Sequence, residues 1–311
     1  MCKICFADKG LDFEEGSMLA EEEGTSFYAK TPQINTLLES MDKEDTTRED
    51  TTREDTTREV KAKVTLMSNF YNEEYLLPFW CEYHKPLFDD AILINYGSND
   101  KSVEIINRIC PDWKIVNTRN KDFDAQEIDR EIMDLESDVS GYKFFLNTTE
   151  FFLVGPDYRN YLKPLDNEYL EFPSLTALSK RKCHYPASVK DLFNDIEFLH
   201  DKIRSPRYML SHKNGNYTPG RHTKRFDLTN LLPGYVIWMG YYPWNDRLLL
   251  RKLQIKNKMS ERDKKEGFGH QHLMDYEEVE MEKNYSIFKA KPADSFEVFK
   301  MLRFLYNIEH K

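Results

Sequence analysis

The sequence predicts an α/β fold with a mostly parallel central sheet flanked by helices, and three observations predict it. Short apolar runs that read as buried strands recur between residues 64 and 146, stretches of helical period separate them, and polar residues follow the runs directly. Strand, helix, strand, helix, strand, helix, strand at this spacing marks a parallel sheet with helices on its faces.

Val64-Thr65-Leu66-Met67 is the first buried strand, and Glu73 to Lys85 is an amphipathic helix. Trp80 and His84, one turn apart on that helix, read as core packing. Ala91 to Tyr96 is the second strand, closed by Gly97-Ser98. Ser102 to Ile109 is helical, with Asp100 or Ser102 as its cap. Trp113 to Val116 is a third short strand, Ala125 to Leu135 a helix, and Lys143 to Leu146 a strand that runs into Asn147-Thr148-Thr149-Glu150.

Ligands of such sheets bind beyond the carboxyl ends of the strands. The candidates there are Ser68, Asn69 and Asn72 after the first strand, Asn95, Ser98 and Asp100 after the second, and Asn147, Thr149 and Glu150 after the fourth. No glycine-rich phosphate loop of the GxGxxG or GxxxxGK[ST] type is present, which weighs against dinucleotide oxidoreductases and P-loop enzymes.

The chain of 311 residues is 40% hydrophobic and 14% aromatic, enough for a proper core. Its net charge of -10 is unevenly placed: residues 1–60 hold 16 Asp/Glu against 7 Lys/Arg, leaving 38 against 37 in residues 61–311. A near-neutral main domain gives no support for nucleic-acid binding, which needs a net basic face. No apolar run approaches the roughly 18 residues of a membrane span, and charges occupy the N-terminus where a signal peptide would be apolar. Five scattered cysteines fit a reducing compartment, so a cytoplasmic protein is expected.

Residues 44–60 carry three copies of Glu-Asp-Thr-Thr-Arg, whose period matches neither helix nor strand and which offer nothing apolar to bury; they read as a linker. Residues 1–43 read as a poorly ordered acidic leader, since Cys2-Lys3-Ile4-Cys5 has no second pair nearby to complete a zinc site.

Phe70-Tyr71-Asn72-Glu73-Glu74-Tyr75-Leu76-Leu77-Pro78-Phe79-Trp80 with Tyr83-His84, then Ile94-Asn95-Tyr96-Gly97-Ser98-Asn99-Asp100, then Phe145-Leu146-Asn147-Thr148-Thr149-Glu150-Phe151-Phe152-Leu153 resemble, in order, three motifs of family 2-type glycosyltransferases. The polar leader and Gly267-Phe268-Gly269-His270-Gln271-His272 are also similar to glycosyltransferases of large algal DNA viruses. The resemblance implies a GT-A (Rossmann-like) fold, with a nucleotide-sugar-binding half at 61–155 and an acceptor-binding and catalytic half at 156–311. It implies a nucleotide-diphosphate sugar donor, a glycan acceptor on protein or lipid, and a location in the cytoplasm, the host's if the chain is viral. It carries Asn95, Ser98 and Asp100 to the nucleotide pocket and residues 147–150 to the diphosphate and metal.

The family's Asp-x-Asp pair is Asn147 and Thr149 here, and of the usual cluster only Glu150 keeps a carboxylate. Two arrangements are open. Either a divalent cation, Mn²⁺ or Mg²⁺, is held by Glu150 with His270 or His272, or basic side chains neutralise the diphosphate. The cationic run Arg247, Arg251, Lys252, Lys256 and Lys258 supplies the second arrangement. Ser68, Asn69, Asn72, Glu73 and Thr149 complete the expected donor site.

Lys202, Arg204 and His222 lie in a stretch similar to a basic segment of related enzymes, with His222 a catalytic candidate; otherwise Lys202 and Arg204 are solvated and His222 satisfies a backbone carbonyl. Tyr185, Tyr241, Tyr242 and Trp244 are a sugar-stacking platform or core. Inverting transfer needs a carboxylate base from the second half, for which Glu171, Asp191 and Asp195 are the candidates, Asp191 foremost. Two other functions are weighed beside the transferase: a catalytically degenerate module that binds a sugar nucleotide or glycan, and another nucleotide-binding α/β transferase such as a nucleotidyltransferase.

Overall fold

The computed structural model of the chain describes residues 62–155, 158–162, 169–201, 205–213, 215–217, 220–221 and 234–305. The leader at 1–43, the linker at 44–60, and Lys202, Arg204 and His222 lie outside the described residues. The expected alternation is present: β1 (Val64–Phe70), α1 (Leu77–His84), β2 (Asp90–Asn95), α2 (Ser102–Ile109), β3 (Lys114–Asn117), α3 (Ala125–Glu136) and β4 (Tyr142–Phe145). β1 pairs in parallel with both β2 and β4, and β2 with β3. Continuous apolar strands fit this centre because both faces of the sheet are covered.

The helix expected from Glu73 starts only at Leu77. The backbone N–H groups of Glu73 and Glu74 donate to Ser102 Oγ and Asp100 Oδ2, which holds residues 73–76 as a turn, and Pro78 then begins the helix, where its missing N–H costs nothing. Asp100 and Ser102 therefore tie the loop after β1 to the start of α2; α2 itself has no side-chain cap.

Beyond β4 the chain runs through β5 (Glu150–Val154), β6 (Tyr169–Phe172), β7 (Ser174–Leu178), α4 (Val189–Asn194), β8 (Phe198–His200), β9 (Arg207–Leu210) and β10 (Gly234–Trp238). It ends with α5 (Asp246–Gln254), α6 (Glu261–Glu266), α7 (Tyr276–Lys289), β11 (Lys291–Pro292) and α8 (Glu297–Leu305). The first sheet has the order β3-β2-β1-β4-β9-β6; its pairings from β3 to β4 are parallel, as expected of a mostly parallel sheet, and β4 with β9 and β9 with β6 are antiparallel, so the sheet is mixed. A second sheet, β11-β8-β7-β10-β5, is antiparallel except between β7 and β10. The turn at 146–149 is where the chain leaves the first sheet for the second. Among the described residues no helix is long and apolar enough to cross a membrane.

Helix α1 closes the free edge of β5 with side chains. Trp80 Nε1 donates to the Glu150 carbonyl at 2.9 Å, Tyr83 Oη to the Phe152 carbonyl at 2.9 Å, and the Phe152 N–H donates to His84 Nε2 at 3.1 Å. An unpaired strand edge is thus satisfied internally. With Nε2 accepting, His84 is neutral and its Nδ1–H donates to the Trp80 carbonyl at 2.9 Å; burial pulls its pKa down to about 3. An unfolded chain takes up this proton near pH 6.5 and the folded one only near 3, so acidification through that window favours unfolding by up to about 1.4 kcal/mol per pH unit. Urea unfolding from pH 7 to pH 4 is expected to show this slope in the wild type and a shallower one in His84→Gln; equal slopes would refute the assignment.

Candidate active site

The carboxyl ends of β1 and β4 open onto a cleft of about 440 Å³, in the size range of small-molecule sites. The first half contributes Asn69 near the end of β1, Tyr71 and Glu73 after it, and Asn147, Thr148 and Thr149 after β4. The antiparallel register Lys143↔Leu210 and Phe144↔Met209 places Arg207, at the start of β9, beside the end of β4. Trp238 and Gly240 enter from the end of β10, Arg251 and Lys252 from α5, Asp263 from α6, and Gln271 and His272 from the turn that follows. A Cβ on Gly240 would stand 1.9 Å from the Trp238 indole, so only glycine allows that ring its place.

Ion pairs organise the walls. Arg251 Nε and Nη2 meet Glu73 at 2.5 and 2.7 Å in a fork. Beneath the cleft Glu150 is buried with Arg207 (side-chain exposures 2% and 4%), Nη2 to Oε1 being 2.6 Å, and Glu150 Oε2 also accepts the Asn147 N–H at 2.8 Å. Arg221 Nη1 donates to Asp129 Oδ1 at 2.8 Å and its Nη2 to Asn147 Oδ1 at 3.1 Å, with the guanidinium 4.0 Å from the Phe145 ring centroid. Burial pushes the Asp129 carboxyl upward, against the pull of Arg221. Lys252 Nζ lies 4.6 Å from the Tyr241 ring centroid and 5.7 Å from that of Trp238.

Asp263 differs from the other carboxylates lining the cleft. It is 4% exposed; Oδ2 accepts the Ala125 N–H at 2.7 Å, while the buried Oδ1 has no hydrogen-bond partner among the described residues. Burial raises its pKa, and the neighbouring Asp124 charge adds to the rise. Glu73 and Asp129, by contrast, have both oxygens engaged.

Of the residues expected from the sequence, the structure brings Asn69, Glu73, Asn147, Thr149, Arg251, Lys252 and His272 to the cleft. Asn72, Asn95, Ser98 and Asp100 lie behind it as a brace: Asn72 N–H donates to Ser98 Oγ at 3.0 Å and Ser98 N–H to Asn95 Oδ1 at 2.9 Å. Ser68 is buried within β1, Lys256 and His270 are exposed outside the lining, and Arg247 stacks on Tyr185 at 4.5 Å away from it. Neither Glu171 on β6 nor Asp191 in the first turn of α4 lines the cleft. Tyr241, Tyr242 and Trp244 are buried core, and Tyr185 is not among the lining residues.

The structure does not assemble the expected metal set. Glu150 spends its oxygens on Arg207 and Asn147, His270 faces solvent, and no three His, Cys, Asp or Glu side chains converge to hold an ion among the described residues. The residues not proposed from the sequence are Asp129, Arg207, Arg221, Trp238 and Asp263; the signals near them are the Gly220-Arg221-His222 stretch, which contains Arg221, and the glycine-histidine stretch beginning four residues after Asp263.

No protein-family model matches the chain, and no curated protein matches it. Among solved structures it is similar to S. aureus TarS 1–349, at 13% identity and a TM-score of 0.35 over 68% of this chain and 70% of that one. With the UDP-GlcNAc complex of the same protein the figures are 9% and 0.31 over 48% of this chain and 45% of that one. With glucosyl-3-phosphoglycerate synthase from Mycobacterium tuberculosis, in complex with Mg²⁺ and UDP, they are 14% and 0.28 over 37% and 44%. The chain thus spans less than half the length of the last two structures. At these scores the cleft, rather than the likeness, has to carry a functional reading.

Proposed function

We propose that the protein is a glycosyltransferase that moves a sugar from a nucleoside diphosphate to a hydroxyl of a glycan acceptor, with inversion. One observation carries the reading: a single cleft at the carboxyl ends of parallel strands holds both cations fit for a diphosphate, Arg221 and Lys252, and a buried carboxylate with an unengaged oxygen, Asp263. The first and third of the ordered motifs found in the sequence supply two of its walls, and the second lies behind them. Tyr71 and Phe123, edge to face at 5.9 Å, offer the nucleobase an aromatic surface, and the stacked Tyr96 supports Phe123 from behind at 4.8 Å. In this reading Asn95, Ser98 and Asp100 position the loop that presents Tyr71 and Glu73.

The chemistry is a single displacement. Asp263 Oδ1 takes the acceptor hydroxyl's proton while that oxygen bonds to the anomeric carbon; the bond from that carbon to the diphosphate breaks on the opposite face, and its electron pair leaves with the diphosphate. Burial makes Asp263 a stronger base than an exposed aspartate. The scattered cysteines fit a cytoplasmic setting, that of an algal host if the likeness of the Gly267–His272 segment reflects descent.

Titration calorimetry with UDP, GDP, ADP and their sugars, with and without Mn²⁺, tests the reading. One nucleoside diphosphate is expected to bind, and its sugar conjugate to release free sugar slowly. Binding of none of them removes the proposal; binding with no sugar release under any condition selects the degenerate module instead.

A further inference from the structure

The buried groups under the cleft form a closed circuit. Glu150 binds Arg207, Arg207 Nη1 donates to the Gly220 carbonyl at 3.2 Å, Gly220 N–H donates to Asp129 at 2.9 Å, Asp129 binds Arg221, Arg221 binds Asn147, and Asn147 Nδ2 returns to Glu150 at 3.2 Å. The circuit joins β5, β9, α3 and the segment at 220–221, and its two carboxylates balance its two guanidiniums. A divalent cation would need hard, anionic oxygens, and taking those of Glu150 would break its buried ion pair with Arg207.

Arg221 also holds a backbone conformation that side chains rarely adopt, φ 59°, and the Phe145 ring lies against its guanidinium. Strain of this kind persists where surrounding contacts over-determine it, and it collects at binding sites. Its guanidinium carries more N–H donors than the bonds to Asp129 and Asn147 use, and it lines the cleft together with Lys252.

We propose that Arg221 and Lys252 receive the departing diphosphate and that the reaction runs without a divalent cation. This rests on the glycosyltransferase reading above. An arginine fork matches phosphate oxygens in pairs and a lysine acts as a point charge, so the two neutralise the leaving group where a metal would otherwise stand. Both arrive preorganised, Arg221 by the circuit and Lys252 by the rings of Tyr241 and Trp238.

The test is calorimetry and turnover with the full chain, using the nucleoside diphosphate that binds best and its sugar conjugate, in excess chelator and in Mn²⁺. Affinity and sugar release are expected to be the same in both, and Arg221→Gln to weaken nucleotide binding about 10–100-fold. Lys252→Met leaves the Asp129–Arg221 pair intact and is expected to weaken binding likewise, which keeps the question answerable should R221Q fail to fold. Binding or turnover that appears only with Mn²⁺, or full affinity in folded R221Q and K252M, overturns the metal-free proposal while the transferase reading stands. No nucleotide binding in either condition overturns both.

Discussion

Asp263→Asn is expected to lower turnover by about 10²–10⁴-fold, the range that a positioned general base contributes. Asparagine keeps an oxygen for the Ala125 N–H, so the junction between α6 and the start of α3 survives, but it has no basic oxygen for a proton. Thermal unfolding separates this role from a structural one. The carboxyl's folded pKa lies above its unfolded value, so the charged form is disfavoured by folding; stability rises as pH falls through the folded pKa and is lowest, as far as this group is concerned, at neutral pH. The asparagine variant is therefore expected to melt at or slightly above the wild-type temperature while losing activity, the trade of stability for function common at active sites. In the wild type, the acid limb of kcat/KM is expected above the ordinary aspartate range, because the base works only when deprotonated. Wild-type turnover in folded D263N would remove Asp263 from the chemistry.

Glu150→Ala is expected to cost about 3–5 kcal/mol of folding free energy, the loss typical when one partner of a buried ion pair is removed. Arg207 would keep its charge, at 4% side-chain exposure, with its carboxylate gone. The paired substitution Glu150→Leu with Arg207→Met is expected to recover most of that loss, since two charges no longer have to be kept out of water. Urea unfolding of the two single variants and the double variant measures the coupling. Glu150 as a metal ligand gives a different pattern: E150A would fold normally and lose only cation-dependent activity. A double variant as unstable as E150A would show that the pair is not what holds this corner.

Much of the first half was legible in the chain because its signals are local. Apolar runs at Val64–Met67, Ala91–Ile94 and Lys143–Leu146, with helical periods between them, predict β1, β2 and β4 to within a few residues, and the strand-end rule then reaches Asn69, Asn147 and Thr149. The second half gives no such alternation, so the antiparallel β9 and β6 were not legible, nor was the way β9 delivers Arg207 to Glu150 across 57 residues. Asp263 meets Ala125 across 138 residues and Arg251 meets Glu73 across 178.

By itself, then, the sequence determined the α/β class, the strands that end at the cleft and the uncharged residues Asn147 and Thr149 beside Glu150, because periodicity and residue type act over a few neighbours. Only the tertiary structure decided which charges pair, that Glu150 belongs to an arginine, and that Asp263 lies in the cleft with one oxygen lacking a hydrogen-bond partner among the described residues. Hydrogen bonds and ion pairs act over about 3 Å of space whatever the separation along the chain, and folding alone sets that distance.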